Sequence, residues 1–191
     1  NKLHLQGMYL AGVPGFYRDK HDNWTFTQEK RGILIPVRDI EGRIQGMQVR
    51  LDETDRRKFR WVSSSERKDG CRAEGWTHLA GPVKGNIIIT EGPMKADVIH
   101  ALTGETVLSV LGVNSLSHLQ KTLEKLQEKG LKRVMTAFDM DFCANFHVQN
   151  GFNSLLCLLD DMNLKFGTYT WDPRYKGLDD FVWEYMMNKQ R

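Results

Sequence analysis

The sequence predicts a mixed α/β protein, in which a mostly parallel sheet flanked by helices follows a smaller β-rich basic subdomain. Three observations carry this. From residue 86 onward, short continuous apolar runs alternate with longer amphipathic segments, as in strands covered on both faces and joined by crossover helices. Upstream, apolar residues flank a turn at hairpin spacing. The charge balance shifts along the chain as well. Residues 1–83 carry 15 Lys and Arg against 11 Asp and Glu, a net +4, whereas residues 84–191 carry 12 against 13, a net −1. The expected division is into domains 1–83 and 84–191.

In the first part, GILIPVRD is a strand, Asp39-Ile40-Glu41-Gly42 a turn and RIQGMQVRL the returning strand. KFRWVSS predicts a further strand, ended by Ser63, Ser64 and Ser65, and GWTHLAGP closes the region. In the second part, NIIIT is a buried strand and PMKADVIHALTG a helix, with Pro93 suited to its first turn and Gly104 to its stop. TVLSVLG is the next strand. SLSHLQKTLEKLQEKG is an amphipathic helix with Leu116, Leu119, Leu123 and Leu126 on one face and Gly130 as terminator. KRVMTAF is a third strand, ending in Asp139. FHVQNGFNSLLCLLDDM is a helix interrupted or kinked near Gly151, KFGTYTW a fourth strand and GLDDFVWEYMMNK a final helix. Trp171 and Trp183 are expected to cover the sheet edge.

Composition narrows the classes. No apolar run approaches the ~20 residues of a membrane span, and no signal-peptide pattern opens the chain. The cytoplasm is the expected compartment and a membrane is not an expected partner. Cys71, Cys143 and Cys157 are odd in number, far apart and in no CxxC pattern, which favours neither a disulfide framework nor a zinc site.

Carboxylates gather at the predicted strand ends. Asp139 and Asp141 lie one residue apart after an apolar run, so in extended backbone they project to one side and repel unless a cation sits between them. A solvated strand end, or a helix N-cap at Asp141, is the alternative. Glu91-Gly92 follows the first parallel strand, and Asp179 and Asp180 come after the fourth. In open α/β sheets, ligand sites lie beyond the carboxyl ends of the strands. If those strands are neighbours, a divalent ion is the economical way to hold the acids together. Glu91, Asp179 and Asp180 also suit the N-terminal turns of helices, and Lys95 and Lys176 suit surface ion pairs. Upstream, Arg50, Arg56, Arg57, Lys58, Arg60, Arg67 and Lys68 interleave with Phe59 and Trp61. That mixture fits a phosphate backbone with stacked bases, and it fits a solvated hairpin.

IIITEGPMKADVIHAL followed by VMTAFDMD resembles a Toprim domain, the metal-binding module of bacterial primases, topoisomerases and some nucleases. Upstream, RGILIPVRDIEGRIQGMQVR and KFRWVSSSE are similar to the segment that precedes the Toprim half of bacterial replicative primases. LAGVPGFY and EGPMKAD look closest to uncharacterised Toprim-like proteins of phage, plasmid and mobile-element replication. The likeness covers most of residues 31–184. It implies Mg²⁺-dependent, primase-like nucleotidyl transfer on single-stranded DNA in mobile-element replication, with Mn²⁺ as a substitute ion. Glu91, Asp139 and Asp141 become the catalytic and metal residues, joined by Asp179 and Asp180 as a later acidic motif. Arg50, Lys58, Arg60, Lys95 and Lys176 become contacts to nucleic acid or phosphate. The implied partners are single-stranded DNA or an RNA/DNA hybrid, nucleoside triphosphates, and a helicase or zinc-binding domain outside this chain. Two departures stand out. Primases often place Asp four residues after the Glu, where this chain has Lys95 and carries Asp97 two positions further on. Asp141 precedes Phe142-Cys143-Ala144-Asn145 rather than a small Gly-containing turn. A Toprim nuclease and a catalytically weakened DNA-binding module therefore remain as alternatives.

Overall fold

The computed structural model describes residues 10–27, 31–53, 58–111, 116, 118–139 and 146–189. By internal packing the chain divides into two compact units, Asn1–Val37 with Ile44–Glu74, and Arg38–Arg43 with Gly75–Arg191.

The first unit is built of short antiparallel pieces. β1 (Phe16–Arg18) pairs with β2 (Trp24–Phe26). β3 (Gly32–Arg38), β4 (Ile44–Leu51) and β5 (Phe59–Trp61) form a three-stranded sheet in that order. A single buried hydroxyl ties its loops. Ser64 Oγ donates to the Phe16 carbonyl at 2.8 Å and accepts the backbone N–H groups of Gly15 at 3.1 Å and Cys71 at 3.2 Å. Short strands leave many backbone groups unpaired, and a buried serine satisfies several of them at once.

The second unit holds the parallel sheet. β6 (His78–Ala80) is followed by β7 (Asn86–Glu91), α1 (Pro93–Thr103), β8 (Val107–Val110), α2 (Leu119–Glu128), β9 (Arg133–Thr136), α3 (Phe146–Asp161), β10 (Lys165–Thr168) and α4 (Leu178–Lys189). The strand order is β10-β9-β7-β8-β6, parallel except for β6, which runs antiparallel to β8 with Leu79 opposite Leu108. Residues 75–83 thus supply an edge strand of this sheet. Side-chain alternation explains the apolar runs. Ile87 and Ile89 face a core with Leu119, Leu123, Leu126, Leu155 and Leu159 of α2 and α3, whereas Ile88 faces Ala96, Ile99 and Leu178 of α1 and α4. The chain steps from β7 to β8 through α1 on one face, then back past β7 to β9 through α2 on the other. Right-handed crossovers require that change of face when the direction reverses.

Two expectations need correction. α3 runs unbroken through Gly151, because Phe152, Leu155 and Leu159 continue a single buried stripe that outweighs the modest cost of a helical glycine. Trp171 is buried against α1 and α4, but Trp183 is 52% exposed, since α4 turns Leu178 and Phe181 inward instead.

Candidate functional site

The reversal of direction makes the gap between β7 and β9 the topological switch point, where open α/β sheets place their ligands. Glu91 ends β7 and Asp139 follows β9, so two of the expected acids lie at the same end of neighbouring strands. Hydrogen bonds beyond the regular ladder hold these ends in register. Ala137 N–H donates to the Ile89 carbonyl at 2.8 Å, and Thr90 Oγ1 donates to the Ala137 carbonyl at 2.8 Å. Gly92 then turns the chain into α1 with φ of 77°, a conformation that disfavours any residue with a Cβ, and Pro93 occupies the first helical turn.

Asp139 is the centre of the arrangement. Its side chain is 13% exposed, and Lys95 Nζ, from the first turn of α1, lies directly against its Oδ1. Lys176 Nζ is 3.7 Å from Oδ2. Asp179, in the first turn of α4, completes the group. A Cβ built on Gly177 would overlap Asp179 Oδ1 while standing 3.2 Å from Lys95 Nζ and 3.4 Å from Asp139 Oδ1. The three charged side chains therefore surround one spot, and the backbone passes it without a side chain of its own.

Asp179 is poorly satisfied. Its Oδ1 is buried and has no hydrogen-bond partner. Burial pushes its carboxyl above the ordinary value; Lys95 pulls it down, and Asp180 and Asp139 push it further up. The α4 N-terminus favours a negative charge there, but only partly replaces lost water. Asp180 is exposed.

Asp141 lies outside the described residues. Among the described residues, no three His, Cys, Asp or Glu side chains gather closely enough to form a metal centre. Magnesium demands less than that, because one or two carboxylates with water and substrate phosphates suffice. Asp139 and the unpartnered oxygen of Asp179 are a pair that fits this requirement, with Lys95 Nζ beside them.

The expected nucleic-acid residues do not share one face. Across β4 and β5, Arg50 stands opposite Phe59, and Val49 opposite Arg60. Directly opposed residues project to the same side, so Arg50 and Arg60 project to opposite sides of the sheet. Lys58 is exposed and lies one residue before β5. Arg60 lines a cleft of about 540 Å³ with Arg31, Phe26, Trp61, Thr27 and Ser63. Arg56 and Arg57 lie outside the described residues.

Sequence reasoning missed a buried polar tie in the second unit. His78 is fully buried, and its Nδ1 accepts the Arg38 backbone N–H at 2.9 Å. The ring proton therefore sits on Nε2, which faces Asp97 Oδ1 at 3.1 Å, and Arg38 Nη1 approaches the same oxygen at 3.6 Å. The only signal in the sequence was a histidine inside an apolar strand.

Residues 76–188, more than half of the chain, match the family model described as "Domain of unknown function (DUF3854)". The chain belongs to this family. No curated protein matches the DUF3854 chain by sequence. Solved structures similar in fold include the zinc-binding and RNA polymerase domains of the Aquifex aeolicus primase, at 17% identity and a TM-score of 0.63, over 93% of this chain and 42% of that one. The DnaG primase catalytic domain bound to ssDNA matches at 14% identity and 0.59, over 94% and 57%. The RNA polymerase domain of the Mycobacterium tuberculosis primase DnaG, in complex with double-stranded DNA, matches at 16% and 0.58, over 93% and 59%. The DUF3854 chain thus has the fold of primase catalytic cores and spans about half the length of the solved structures it matches.

Proposed function

We propose that this chain is the Toprim-type core of a primase-like nucleotidyltransferase that acts on single-stranded DNA in mobile-element replication. The observation that carries the reading is the meeting of Asp139 and Asp179 with Lys95 at the switch point of a fold shared with primase catalytic domains. Nucleotidyl transfer needs little covalent chemistry from the protein; it needs phosphates held in place and their charge offset. Lys95 and Lys176 present ammonium groups beside the carboxylates, suited to a triphosphate. Glu91, at the end of β7, is the residue assigned to proton transfer near the attacking hydroxyl. Asp139 and Asp179, with Glu91, Asp141 and Asp180 carried over from the resemblance, are the residues to hold Mg²⁺ or Mn²⁺. When bound, the ion supplies charge neutralisation to the attacking and leaving oxygens. Arg31 and Arg60, beside Phe26 and Trp61, suit the backbone and bases of a single strand. Further domains, such as a zinc-binding or helicase module, belong to this reading as partners.

The test is primer synthesis. The protein, incubated with single-stranded template, nucleoside triphosphates and Mg²⁺, is expected to make short oligomers, and Asp139→Asn to make none. Metal-dependent cutting of labelled DNA without nucleotides would instead select a nuclease. The Lys95–Asp139 contact favours one second reading, a DNA-binding module with weakened catalysis. Salt-sensitive binding without turnover, unchanged in Asp139→Asn, would select it.

A further inference from the structure

We propose that Lys95 is the resident cation of the acidic site: it holds Asp139 in place with no divalent ion, and competes with such an ion for that carboxylate. The inference rests on reading Asp139 and Asp179 as the carboxylates of the site.

Three observations carry it. First, the direction of Lys95 is set by packing. α1 buries Pro93, Ala96 and Ile99 against the sheet, which turns Lys95 toward the end of β9. Second, the pair is shielded. The Lys95 and Asp139 side chains are 28% and 13% exposed, so their attraction is screened far less than between surface charges. Third, the charges nearly balance. Asp139, Asp179 and the exposed Asp180 contribute three negative charges, Lys95 one positive charge, and Lys176 a second one 3.7 Å from Asp139 Oδ2. Two carboxylates packed this closely need a cation to stay together, and the chain carries its own. A divalent ion entering the group leaves a positive excess, until an anionic phosphate arrives with it. By itself it therefore binds weakly.

The test uses the whole chain and Mn²⁺ alone, followed by electron paramagnetic resonance. Wild type and Lys95→Arg are expected to bind weakly and alike. Lys95→Met is expected to bind at least about tenfold tighter, because a positive charge beside the carboxylate has gone. Lys95→Gln carries the same test with a polar side chain if the methionine variant folds poorly. In parallel, Lys95→Met, Asp139→Asn and the double variant are unfolded in urea with EDTA present. The cycle is expected to be non-additive, the double variant losing less stability than the single losses together. Equal Mn²⁺ affinity in wild type and Lys95→Met, including none in either, overturns the proposal, as do additive effects. Primer synthesis is scored separately. Tighter Mn²⁺ binding and a coupled pair in a protein that makes no oligomers leaves this inference standing while the proposed function falls.

Discussion

Each unit carries a cluster of opposed charges, and the two clusters behave in opposite ways. In the first unit, Asp22 lies 2.8 Å from Lys68 Nζ and 3.4 Å from Arg18 Nη1, while Arg18 also reaches Asp69 at 3.2 Å. Asp22, Lys68 and Asp69 keep much of their water while Arg18 is half-buried, and the bond from Lys68 holds the Asp22 carboxyl below its ordinary value. In the second unit, Asp179 has lost water to burial, lies near Asp139 and Asp180, and keeps an oxygen with no partner; its carboxyl is pushed up. A carboxylate that gains a donor without losing water is comfortable as an anion. One that loses water without gaining donors stores an unmet demand, and such demands concentrate where ligands bind. The surface cluster is a set of solvated ion pairs, whereas the switch-point cluster is the one we propose as a site.

The sharpest way to break this comparison is Gly177→Ala. The added methyl overlaps Asp179 Oδ1 and crowds Lys95 and Asp139. The three atoms are ends of side chains that can swing aside, so a loss of only about 1 kcal/mol is expected in urea unfolding. An unchanged stability would mean that the acidic group is loosely held.

Asp179→Asn has a smaller effect of opposite sign. The folded carboxyl is raised above its ordinary value of 3.8, so its ionised form costs stability at neutral pH. The stability linked to its protonation is fully present below 3.8 and lost as the pH rises through the folded value. The variant, free of that loss, is expected to melt above wild type at pH 7 with EDTA present. The difference should shrink as the pH falls toward 3.8 and below. A variant that melts lower at pH 7 would show that Asp179 is better satisfied than Asp22.

Asp22→Asn is expected to do least. Asp22 and its closer partner Lys68 are both exposed, so the melting temperature should not change measurably, and any shift should vanish in high salt. A clear loss would erase the contrast between the clusters.

Much of the second unit was readable in the chain. NIIIT, TVLSVLG and RVMT are apolar because both faces of a central strand are covered, and local composition records that directly. Gly104 announces the end of α1, and it caps that helix with φ of 71°. The placement of Glu91, Asp139 and Asp179 beyond strand ends was equally readable, because it depends only on where the apolar runs stop. Of the interruption or kink expected near Gly151, the interruption was misjudged: a glycine's propensity is local, and the buried stripe that overrides it belongs to the whole core.

From β7 onward, the amino-acid order by itself determined which segments become strands and helices, and which acids stand at their ends, because periodicity, caps and glycines act over a few neighbouring residues; β1, β2 and β6 left no such mark. Only the tertiary structure decided that β9 returns to lie beside β7, that β6 closes the far edge, and that Arg50 and Arg60 part onto opposite faces. It alone set Lys95 against Asp139, 44 positions away, with Asp179 left short of a partner. Those outcomes depend on strand order, register and burial, which arise from long-range packing and leave no periodic mark on the chain.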